Sequence, residues 1–195
     1  MPERRPPAHR RPVGSLLLLN GPPGIGKSTL ARRVVAEHPL ALCLDIDLLW
    51  RSLGQWDQHL QLSGPLARDL AVAAARTHLL SGHAVVVPQF LGKPAFVQRL
   101  EALAREVGVP FHHLVLMDSR DNAIARFVAR ATAPDASPQH RDAAAMAGGE
   151  PGLARFYDEL LAMLADHPDA VIVPSVAGDL EGTWLRLRTV LAGLL

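Results

Sequence analysis

Ser15-Leu16-Leu17-Leu18-Leu19-Asn20 runs directly into Gly21-Pro22-Pro23-Gly24-Ile25-Gly26-Lys27-Ser28-Thr29, a complete G-x-x-x-x-G-K-[ST] loop behind a short apolar run. Such a run suits a buried strand, and Ser28–Glu37 reads as the helix that follows. Glycines let the loop backbone curl so that successive N–H groups point inward, towards the positive end of the helix dipole. The pattern predicts a phosphate cradle for a nucleoside triphosphate with Mg²⁺. Lys27 would reach the β- and γ-phosphates and the Ser28 hydroxyl would ligate the metal.

Working outward, apolar runs recur at Leu16–Leu19, Leu40–Leu44, Ala84–Val87, Leu114–Met117 and Val171–Val173. Segments with helical spacing lie between them: Ser28–Glu37, Leu66–Leu80, Pro94–Val107, Arg120–Ala131, Gly152–Leu164 and Leu180–Leu194. Strands alternating with helices predict an α/β protein with a doubly wound, five-stranded parallel sheet, the P-loop NTPase arrangement of a kinase. We expect one such domain over residues 13–195, behind a basic leader over residues 1–12 that carries Arg4, Arg5, Arg10 and Arg11 between prolines. The leader reads as a disordered, charge-tolerant segment rather than a nucleic-acid arm. Residues 131–151, ATAPDASPQHRDAAAMAGGEP, hold three prolines and paired glycines and read as a structureless lid between two helices.

Composition narrows the partners. A net charge of +1 supplies no field to recruit nucleic acid or an anionic membrane. No apolar stretch approaches the ~18 residues of a membrane span. Cys43 is the only cysteine, which excludes an internal disulfide and fits a reducing, cytoplasmic compartment. No HExxH or Cys/His ligand spacing appears, and the adjacent His112 and His113 would face opposite sides of a strand. No element specifying oligomerisation is evident.

In open parallel sheets ligands bind beyond the carboxyl ends of the strands, so the strand exits carry the candidates. Asp45 and Asp47 close the second run. Period-two alternation would place both on one face if the strand continues, with Asp45 nearer the metal and Asp47 as base towards a substrate hydroxyl. Alternatively, one of them caps a helix over Ile46–Leu53. Arg126 and Arg130 are spaced i, i+4 just before the lid and would close together over the phosphates; Arg141 within the lid and Arg120 at the fourth exit are further cations. Gln89 stands where many P-loop proteins keep an aspartate, which argues against a hydrolytic motor. With Trp50, Trp56, Phe90 and Lys93 it borders the expected acceptor side. Cys43, without a histidine partner, reads as an inert thiol.

These features together resemble the P-loop small-molecule kinases of the nucleoside-monophosphate-kinase-like branch, such as chloramphenicol phosphotransferase, shikimate kinase and gluconate kinase. The G-P-P-G-I-G-K-S-T loop is specific to the P-loop class. The D-I-D at 45–47 looks like the aspartate pattern of shikimate kinase and of chloramphenicol phosphotransferase, and in the latter the aspartate matching Asp47 is the base. The R-F-V-A-R at 126–130 is similar to the arginine helix that leads into the lid, where Arg126 would approach the ATP phosphates. The strand-five exit, Pro174–Asp179, would cradle adenine through backbone groups. The glycine triplet of shikimate kinase is absent, with Val87-Pro88-Gln89-Phe90 in its place, and no nucleoside-monophosphate-binding pattern is evident. The resemblance implies transfer of the γ-phosphoryl group to a hydroxyl of a small molecule. A nucleotide-dependent regulatory protein acting through a protein partner is the alternative.

Overall fold

The computed structural model describes residues 14–134, 136 and 138–194. The basic leader over residues 1–12 lies outside them. Five strands, β1 (Leu16–Asn20), β2 (Leu42–Cys43), β3 (Val85–Pro88), β4 (Phe111–Met117) and β5 (Val171–Pro174), form one parallel sheet in the order β2-β3-β1-β4-β5. Helices α1 (Lys27–Ala36), α2 (Ile46–Arg51), α3 (Leu60–Leu80), α4 (Pro94–Val107), α5 (Arg120–Thr132), α6 (Pro138–Ala147), α7 (Gly149–Ala165) and α8 (Leu180–Leu191) connect and cover them. Among the described residues, no helix is long and apolar enough to cross a membrane.

The alternation of β1 organises the core. Leu16 and Leu18 face the layer built from α2, α3, α4 and α7, while Leu17 and Leu19 face α1 and α8. With both faces covered, β1 reads as a continuous apolar run rather than an alternating one. The chain moves from β1 to one side through β2 and β3, then crosses to β4 on the other. That reversal opens a crevice at the carboxyl end of β1, where the phosphate loop lies.

Helix α4 spans the residues its spacing predicts, because Pro94 sits at the first helical position and Gly108 ends it with φ +77°. The segment over residues 131–151 departs from expectation. Rather than structureless, it continues α5 to Thr132, forms α6, and enters α7 through Gly148 and Gly149, with φ of +73° and +77°. Ala147 and Leu153 pack on Phe127, which gives the segment its own small apolar cluster beside α5. Proline at the start of α6 and glycines at its end are helix punctuation here, not signs of disorder.

Candidate active site

The phosphate loop is shaped by close approaches that exclude side chains. Gly21 has φ +140° and a Cβ there would lie 2.4 Å from the Leu116 carbonyl oxygen; Gly24 has φ +77° and its Cβ would lie 3.1 Å from Phe127 Cα. Gly26, with φ +106°, caps α1, so the helix begins at Lys27. Ile25 is buried and anchors the loop in the core, with Pro22 and Pro23 on the turn before it and Thr29 in the first turn of α1. Lys27 Nζ donates to the Gly21 and Pro22 carbonyl oxygens, both at 2.9 Å, which lays the ammonium along the loop.

Burial lowers the Lys27 pKa to about 8, against the attraction of Asp47 and Asp45. A bound polyphosphate would restore the ammonium. Triphosphate affinity should therefore hold below pH 8 and weaken as pH rises through it, by up to about tenfold per pH unit. Calorimetric titration of MgATP above pH 8, in buffers of different ionisation enthalpy, should show proton uptake; binding without uptake contradicts this reading.

Ser28, in the first turn of α1, donates its hydroxyl to Asp45 Oδ2 at 3.1 Å. The aspartate pair is not on one strand face as alternation predicts. The strand β2 ends at Cys43, and Asp45 caps α2 by accepting the Asp47 N–H through Oδ1 at 3.1 Å. The cap turns Asp47 into the first turn of α2, where Gln89 Nε2 donates to its Oδ1 at 3.3 Å. Both halves of the alternative thus meet in Asp45, which caps the helix with one oxygen and faces Ser28 with the other. Desolvation within the crevice raises the Asp47 pKa, although part of the residue stays open to water. Gln89 opposes that shift, Asp45 adds to it, and Lys27 and Arg51 oppose it.

The Ser28 hydroxyl and the Asp45 carboxylate are hard oxygen donors beside a phosphate cradle, and they fit Mg²⁺. No cluster of three or more His, Cys, Asp or Glu side chains suited to a metal occurs among the described residues. Mg²⁺ needs none, since it takes most of its shell from phosphates and water. Burial and then Asp45 push the neighbouring Cys43 thiol above its usual pKa, as an inert thiol requires.

Arg126 is brought to the loop by α5, but not as part of a lid. One guanidinium nitrogen donates to the Ile25 carbonyl at 3.2 Å, and the other to Asp118 Oδ2 and the Ser175 carbonyl, also at 3.2 Å. It therefore ties the phosphate loop to the exits of β4 and β5. Burial alone would raise the Asp118 pKa, but hydrogen bonds from Asn122, the Ser119 N–H and Arg126 hold it below the usual carboxylate range. Arg130 lies one turn further along α5 on the exposed surface and makes no ion pair among the described residues. The two arginines share a helix face as predicted, yet only Arg126 reaches the loop. Arg141 is exposed on α6, and Arg120 pairs with Asp158 at 2.8 Å. Lys93 is exposed at the start of α4.

Arg51 is the residue that sequence reasoning passed over. It follows Asp47 by four positions on α2, pairs with Asp142 of α6 at 2.6 Å, and lies 4.9 Å over the Trp56 ring. The i, i+4 spacing from Asp47 was the available signal. Trp50 meets Trp56 edge-on at 4.7 Å and donates to Ser63 Oγ at 2.7 Å, so these aromatics form the α2–α3 wall. Arg51 Nε and Gln89 Oε1 are buried without a hydrogen-bond partner among the described residues.

Comparison with known proteins agrees with this fold. Residues 16–149 match the AAA domain family. An adenylate kinase of Synechococcus sp. (strain RCC307) is 32% identical over 128 residues, covering 61% of this chain and 70% of that protein. A candidate kinase of Chloroflexus aurantiacus superposes with a TM-score of 0.63 at 14% identity, covering 93% of this chain and 98% of its own. The tunicamycin resistance protein of Deinococcus radiodurans gives 0.58 at 17% identity, covering 91% and 95%. At such identities the two structures speak to the fold alone. With its phosphate loop and β1 to β4 inside the matched span, the chain belongs to the AAA domain family and has a P-loop kinase-like nucleotide-binding fold.

Proposed function

We propose that the protein is an ATP- and Mg²⁺-dependent phosphotransferase that moves the γ-phosphoryl group to a hydroxyl of a small molecule. The observation that carries this reading is Asp47, a carboxylate with a raised pKa, near Lys27 and bonded to Gln89. A hydroxyl needs its proton accepted as it attacks, and a carboxylate of raised basicity suits that task. The loop and Lys27 would hold the phosphates, Ser28 and Asp45 would hold Mg²⁺, and Asp47 would orient and deprotonate the acceptor. Mg²⁺ held there would supply charge neutralisation to the transferring phosphoryl group. Arg126 fixes the loop against the β4 and β5 exits, and Arg130 is the cation left to approach the phosphates from α5.

A nucleotide acceptor is the second reading, favoured by the identity with adenylate kinase. Against it, an acceptor phosphate is already an anionic nucleophile that needs cations, not a carboxylate base. Asp45, Asp47 and Asp142 crowd that side, and Arg51 is already matched by Asp142. ADP release from MgATP should rise at least tenfold with one member of a panel of sugars, aminoglycosides and nucleosides. Equal stimulation by AMP alone would favour the second reading. No stimulation, together with capture of a protein partner, would favour the regulatory alternative.

A further inference from the structure

Asn20, the last residue of β1, is 0% exposed and supports the loop from beneath. Its Oδ1 accepts the Gly21 N–H at 2.8 Å and the Leu91 N–H at 2.9 Å. Two N–H donors on one atom identify that atom as the carbonyl oxygen, which fixes the amide orientation. Nδ2 therefore donates, to the Leu91 carbonyl at 3.1 Å and to Nε2 of His113 at 3.2 Å. Nε2 must offer a lone pair, so His113 is neutral with its proton on Nδ1. Neither residue is near the other in sequence; the β1–β4 register sets Leu18 beside His113 and Asn20 beside Val115, on the face covered by α4 and α7.

We infer that Asn20 and His113 are a positioning pair, in which the neutral imidazole holds the amide that sets both the first N–H of the phosphate loop and the Gln89–Leu91 exit on the acceptor side. The pair ties donor and acceptor halves of the site to one buried side chain. His113 is 7% exposed and lines a cavity of about 720 Å³ between α4, α7 and the base of β4. Glu101 and Arg105 of α4, and Asp166, His167 and Asp169 after α7, face it there, with the His167 ring edge-on at 6.2 Å. Burial and then His167 push the His113 pKa down to about 4, which keeps the ring neutral despite the carboxylates.

The inference rests on the loop binding MgATP, so the experiment reads binding rather than transfer. In N20D an oxygen replaces Nδ2, so the neutral His113 ring can meet it only by moving its proton from Nδ1 to Nε2, and the Leu91 carbonyl loses its donor. The Kd for MgATP should rise roughly tenfold in N20D, and ¹⁵N NMR of that variant should find His113 protonated at Nε2. In H113Q the introduced amide can turn its oxygen to Asn20 Nδ2, so the Kd should stay within about threefold of wild type, whereas H113L leaves Nδ2 without that acceptor and should raise it more. An unchanged Kd in N20D, a His113 proton that stays on Nδ1 in that variant, or equal Kd values for H113Q and H113L overturns the pair. ¹⁵N NMR of the wild type should find His113 protonated at Nδ1; protonation at Nε2 overturns the inference even if N20D does not fold. Failure of the wild type to bind MgATP would instead contradict the proposed function and leave the NMR result to decide the pair.

Discussion

Replacing Lys27 with alanine should lower phosphoryl transfer by about a hundredfold to a thousandfold while leaving the fold intact. Positioning and charge neutralisation provide nearly all of the catalysis in phosphoryl transfer, and removing one preorganised donor from such a site costs ~10²–10³ in rate. Lys27 is one of only two lysines in the chain and the one placed within the loop. Among the described residues its ammonium donates only to the Gly21 and Pro22 carbonyls, which belong to the loop it serves. Burial disfavours its charge, so truncation removes a group the folded protein holds at a cost. The melting temperature should therefore not fall. Turnover and thermal denaturation measured on one preparation check both halves, and transfer within tenfold of wild type would remove Lys27 from the catalytic centre.

The second large effect is expected from Asp47→Asn. General-base removal costs about 10²–10⁴ in rate. The amide keeps the shape and can still meet Gln89, so the Kd for MgATP should change less than about threefold. The pH profile adds a sharper reading. As a base Asp47 would act deprotonated, and its pKa is raised, so wild-type activity should climb with pH through a value above that of an ordinary aspartate. That acid limb should disappear in the variant. A fall in ATP affinity with kcat unchanged would assign Asp47 to nucleotide binding instead.

How far the sequence could be read depends on the distance over which each feature is encoded. The phosphate loop and α4 were legible because their glycines, prolines and apolar spacing act within one turn or one helix. The sheet was legible because apolar runs spaced too far apart for hairpins leave parallel pairing as the solution. Misreadings arose where a local signal had two outcomes. Asp45-Ile46-Asp47 continues an alternating pattern, but the Asp45 side chain competes for the Asp47 N–H, and the cap wins. Residues 131–151 carry helix-ending residues that also punctuate a short helix, so α6 is not legible from them. What depends on tertiary register was not visible. Arg51 meets Asp142, and Asn20 meets His113 across 93 positions, only once the elements have packed.

The central claim is that Asp47 delivers a hydroxyl to the γ-phosphate. ³¹P NMR of MgATP with the protein and the stimulating acceptor tests it most directly. The account predicts a new phosphate monoester resonance growing in step with ADP, absent without acceptor and reduced at least a hundredfold in Asp47→Asn. Inorganic phosphate as the sole product, or ADP formed from AMP with no ester, would contradict it.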